Sequence, residues 1–102
     1  MILIRTNLDI SIGLGHYKRM LRLARELKKF DKKIIILIDK PNYEFESKEF
    51  KHYYLYEKKN YQSEILDAKK TKEIVNIYRA TQVIVDDYRF GFKWEKIVKS
   101  TK

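Results

Sequence analysis

Apolar positions fall into two rhythms along the chain, and the two alternate. "MILIRT" (1–6), "KIIILID" (33–39) and "QVIVDDY" (82–88) contain short unbroken apolar runs rich in isoleucine and valine, the pattern of strands buried on both faces. "FKHYYLY" (50–56) has the aromatic content of a further strand. Between these runs the period lengthens. From His16 onward, Met20, Leu23, Ala24 and Leu27 keep the three-four spacing of a helix, while Lys18, Arg22, Arg25 and Lys29 take the other side. Pro41 stops the second strand, and the polar stretch 42–49, with Phe45 in it, reads as one helical turn. Asn60 or Ser63 can cap a helix running to about Arg79, with Ile65, Ala68, Val75 and Tyr78 among its apolar positions. Trp94, Ile97 and Val98 open a last helix. The alternation predicts an α/β fold, a Rossmann-like three-layer sandwich with a small parallel sheet and right-handed crossovers. With no internal repeat or linker, residues 1–102 read as one domain.

In such sheets ligands bind beyond the carboxyl ends of the strands, where the strand order reverses. "NLDISIGLGH" follows the first strand and "DDYRFG" the fourth, and a 3-2-1-4 order makes them neighbours. Two of the chain's three glycines, Gly13 and Gly15, lie in the first of these loops. Neither familiar phosphate motif is complete: Lys18 occupies the third glycine position of G-x-G-x-x-G, and G-x-x-x-x-G-K-[ST] is absent. What remains is a glycine loop opening a helix, whose free N–H groups favour an anion. His16 stands at that helix start, where a neutral ring could accept a proton as a general base does. Arg19, three residues on, could bind a carboxylate or phosphate. Plainer readings fit the same residues. The glycines can serve a tight turn alone, His16 can cap the core above Met20, and Asp86 and Asp87 can be turn and cap residues. His52, inside a strand, reads as structural.

Composition changes the picture at three points. The absence of cysteine excludes disulfides, thiolate metal sites and thiol nucleophiles. No apolar run approaches the roughly 18 residues of a membrane span, so a cytoplasmic protein is expected. The net charge of +9 would suit a polyanion, but the lysines of "ELKKFDKK", "EKKN" and "DAKKTKE" are mixed with acids and read as solvated faces, with no specific nucleic-acid partner.

"IRTN", "IGLGHYKRMLRLARELK" and "VIVDDY", followed by Trp94 and Glu95, resemble the N-terminal domain of the UDP-sugar hydrolases of pseudaminic acid biosynthesis and the related spore-coat polysaccharide proteins. The family pattern is Ile-Arg-x-Asp, five residues, Gly-x-Gly-His-x-x-Arg, then Val-Asp-x-Tyr with Trp-Glu beyond it. Arg5, Gly13, Gly15, His16, Arg19, Asp86, Tyr88, Trp94 and Glu95 fall in register. The resemblance implies one half of a GT-B fold, of the MurG-like superfamily. It makes His16 the general base that activates water against the anomeric carbon of a UDP-linked diacetamido sugar, releasing UDP without metal or cofactor. Arg5, Asn7, Gly13, Gly15, Arg19, Asp86 and Tyr88 would bind substrate. Asn7 replaces the family's usual aspartate, which removes an acid there, and Gly91 sits later in its loop than the family's glycine. The family's nucleotide is held by a C-terminal domain for which 102 residues leave no room, so a nucleotide-binding half is the expected partner. Two alternatives stay open: the acceptor-side domain of a related glycosyltransferase, with His16 deprotonating a hydroxyl, and a non-catalytic basic binding module.

Overall fold

In the computed structural model, which describes residues 1–9 and 14–100, every element expected from the apolar rhythm is present. They are β1 (Ile2–Thr6), α1 (Gly15–Lys28), β2 (Ile34–Ile38), β3 (Lys51–Tyr54), α2 (Glu64–Tyr78), β4 (Gln82–Asp86) and α3 (Phe92–Lys99). The four strands form one sheet in the order β3-β2-β1-β4, and every pairing is parallel. Arg5 stands opposite Leu37 on one side and Val85 on the other. The carboxyl ends of β1 and β4 are therefore adjacent, with Thr6 in register with Asp86.

Side-chain alternation sorts the strands into two cores. Ile2, Ile4, Ile34, Ile36 and Ile38 meet Tyr17, Met20, Leu21 and Ala24 of α1 on one face. Leu3, Ile35 and Leu37 meet Ile74 of α2, Leu55 and Tyr56 on the other, continued by Ala68 of α2 with Trp94 and Val98 of α3. The result is the expected three-layer α/β sandwich, compatible with a small Rossmann-like domain. β1 and β2 are buried along their whole length, whereas β4, at the edge, has Gln82 exposed and Val83 to Asp86 only half-buried.

The helices bury most of the apolar positions expected and add others to them. α1 turns Tyr17, Met20, Leu21 and Ala24 fully inward, leaving Leu23 and Leu27 at the margin of the stripe. α2 is capped by Ser63, whose hydroxyl accepts from the Leu66 N–H at 3.1 Å. Its buried face is Asp67, Ala68, Thr71 and Ile74, while Ile65 is 44% exposed. The expected Ala68, Val75 and Tyr78 also pack on the core, so what the apolar pattern lacks is the polar part of this face, Asp67 and Thr71, with Asp67 drawn inward by a buried cation under the sheet. The stretch after Pro41 makes one turn, closed by the Glu46 N–H on the Asn42 carbonyl at 2.9 Å.

Candidate functional site at the carboxyl ends of β1 and β4

β1 and β4 end side by side, and α1 starts beside them, so residues 70 positions apart meet: His16 Nδ1 lies 2.7 Å from Asp86 Oδ1. Arg19, one turn along α1, donates from Nε to Asp86 Oδ2 at 2.7 Å, and its Nη2 lies at the same distance from that oxygen. With Asp86 as the acceptor at 2.7 Å, Nδ1 carries the ring proton, so the approach of Arg19 Nη2 to Nδ1 at 3.1 Å is a neighbouring contact and not a second hydrogen bond. In the neutral ring Nε2 then holds the lone pair, and it makes no hydrogen bond among the described residues. The Arg19 hydrogen bond, with that of His16, outweighs partial burial and keeps the Asp86 carboxyl below the usual carboxylate range. It stays ionised near neutrality, as an imidazole-orienting partner must. Thr6 fixes this aspartate from behind, its hydroxyl donating to the Asp86 carbonyl at 3.0 Å.

His16 lines a cleft of about 240 Å³ with Asp86, Tyr88, Phe90, Gly91 and Glu95. Tyr88 is 66% exposed and its ring centroid is 6.5 Å from that of His16. A side chain added at Gly15 would meet none of the described residues within 4 Å. Gly13 lies outside the described residues. Asn7 faces a separate polar cleft of about 400 Å³ with Asp39, Lys40, Asn42 and Tyr61, and its side-chain oxygen accepts from the Leu8 N–H at 3.0 Å.

Arg5 is placed differently from the sequence expectation. It is 0% exposed, and its five N–H donors meet five acceptors: Asp67 from Nε (3.1 Å) and Nη2 (2.7 Å), Asp39 from Nη2 (2.6 Å), and the Thr6 and Leu37 carbonyls from Nη1 (2.6 and 3.3 Å). A buried guanidinium with no donor left has nothing to offer a substrate, so this residue supports the site from below. Asp67, equally buried, also accepts from Tyr56 Oη at 2.7 Å and Trp94 Nε1 at 3.0 Å. Arg89 completes the assembly by bridging Asp39 (2.8 and 2.9 Å) to Asp87 (2.9 and 2.7 Å). Burial raises the Asp39 carboxyl, but hydrogen bonds and charge from Arg89 and Arg5 overcome it and leave the group below its ordinary value. Consecutive aspartates thus divide two tasks. Asp86 faces the imidazole, and Asp87, with its side chain 1% exposed, anchors the turn after β4.

Sequence reasoning missed Asp39, Asp67 and Arg89. Their only signal was a strand-end or helical acid and a loop arginine in an already basic chain. His52 is structural as expected. Its Nδ1–H donates to the Phe50 carbonyl at 2.9 Å, and its Nε2 accepts from Tyr17 Oη at 2.8 Å.

Comparisons with protein-family models, with curated proteins and with solved structures give no match to this chain. Among the described residues no group of three or more histidine, aspartate or glutamate side chains is placed to hold a metal ion, and no helix is long and apolar enough to cross a membrane.

Proposed function

We propose that this chain is the base-bearing domain of a hydrolase acting on a nucleotide sugar, with a UDP-linked diacetamido sugar as the first candidate. The observation that carries the reading is the His16–Asp86 pair: an imidazole whose Nδ1 is engaged at 2.7 Å by an ionised carboxylate and whose Nε2, unbonded among the described residues, lies beside a cleft at the strand ends. In the reaction, Nε2 removes a proton from water as its oxygen bonds to the anomeric carbon. The bond from that carbon to the phosphate oxygen breaks with its electron pair, and UDP leaves. Asp86 holds the reactive tautomer and offsets the charge that develops on the ring. The cleft, at about 240 Å³, is smaller than the roughly 300–1,000 Å³ of a complete small-molecule site, which suits a domain presenting the base while another surface holds the nucleotide. The resemblance of "IGLGHYKRM" and "VIVDDY" to the pseudaminic acid hydrolases supports the choice of substrate.

The test is UDP release from UDP-linked sugars by the chain together with a nucleotide-binding half. His16→Asn should lower turnover by roughly 10²–10⁴-fold, the usual worth of a general base. Asp86→Asn, which loses the tautomer lock, should lower it as well, with the melting temperature of each variant near the parent's. Turnover unchanged in His16→Asn would end the hydrolase reading, and a variant that unfolds instead would make His16 a packing residue.

A further inference from the structure

At the opposite, amino end of the sheet lies another cleft, of about 370 Å³, with an unlike lining. Lys28 from the last turn of α1, Lys32 and Lys33 from the turn before β2, and Lys51 from the start of β3 converge on it, and the half-buried rings of Phe50 and Tyr78 form its apolar part. Glu49 is the acid in that lining. It is already engaged by Arg25, from Nε at 2.9 Å and Nη2 at 2.6 Å. None of the four lysines has a carboxylate at ion-pair distance among the described residues. Two rest over rings instead, Lys28 Nζ 5.7 Å from the Phe50 centroid and Lys51 Nζ 5.4 Å from that of Tyr78.

A cation over a ring in water gains little, and the one carboxylate of the lining, Glu49, acts on Lys28 but is bonded to Arg25, which leaves an excess of positive charge among the four lysines. An anion would draw Lys28 and Lys51 off the rings towards itself, and a flat apolar group would then complete the fit by covering the rings. We propose that this cleft binds the phosphate of a nucleotide, free or within a single strand, with the base laid against Phe50 and Tyr78. Lysine point charges and aromatic faces together recognise that chemistry without reading sequence. The site is separate from the hydrolytic one and does not depend on it.

Fluorescence anisotropy of the full chain with a labelled oligothymidylate tests the proposal. The pair Lys32→Glu, Lys33→Glu should weaken binding at least tenfold. It should also reduce the slope of log K against log salt by about 1.4, the share of two phosphate contacts on a single strand. Lys58→Glu, Lys59→Glu makes the same change in net charge at exposed positions outside this cleft and should alter affinity less than threefold. Displacement of the probe by thymidine monophosphate would assign the site to free nucleotides, and displacement by longer strands alone would assign it to nucleic acid. Equal weakening by both charge-reversed pairs would overturn the proposal, as would competition by inorganic phosphate as effective as by the nucleotide. Lys32→Gln, Lys33→Gln, with a smaller loss expected, repeats the test should the reversal disturb folding.

Discussion

Asp67 is the carboxylate on which the buried polar network under the sheet converges. Its carboxylate accepts from Arg5 twice, from Tyr56 and from Trp94, with no water exposure. Removing one partner of a buried, fully satisfied ion pair costs about 3–5 kcal/mol, because the remaining charge and donors stay in the interior unpaired. Asp67→Ala should therefore lower stability by that amount, read as a fall in the urea midpoint, and a loss under 1 kcal/mol would mean that water enters and satisfies the orphaned groups. Such a network hides from sequence reasoning. Arg5 reaches Asp39 and Asp67 across 34 and 62 residues, so no local spacing announces either contact. His16 was legible for the opposite reason. Its glycine loop and helix start are local, and the alternation of elements supplied the neighbour, Asp86, by placing β4 beside β1.

At the level of elements, the strands were read nearly to their ends because isoleucine, valine and aromatic runs have few other uses, whereas the helix faces were read without their polar members. Apolar residues define a stripe only when the interior is apolar, and the interior facing α2 contains a guanidinium. The end of α2 shows a second feature that periodicity does not register. Arg79 closes the helix in the left-handed conformation at φ 53°, its N–H directed to the Asn76 and Val75 carbonyls. A side chain there costs about 1 kcal/mol that glycine does not incur, and Arg79 is exposed, so little packing is lost with it. Arg79→Gly should raise the melting temperature, by roughly 4–8 °C if the full 1 kcal/mol is recovered in a domain of this size. Differential scanning calorimetry checks this, and a fall in Tm would show that the arginine makes a favourable contact elsewhere.

Across the whole molecule the two ends of the sheet have opposite chemistry. Carboxylates locked to arginines and an oriented imidazole occupy the carboxyl end, and lysines in excess over acids, with aromatic rings, occupy the amino end. The sides of the sheet differ as well. β4 is an edge whose residues, Gln82 to Asp86, include neither lysine nor proline, the usual guards against strand pairing between molecules. Only its shortness and the terminal Asp86 oppose pairing of two copies within this strand, whereas the net charge of +9 opposes it at a distance. That repulsion reaches only about 10 Å at 0.1 M ionic strength. Colloidal behaviour should accordingly follow salt: the osmotic second virial coefficient, measured by light scattering, should be positive in dilute buffer and fall towards attraction as salt is added. A coefficient that stayed positive in high salt would mean that the open side of β4 is protected by something other than charge.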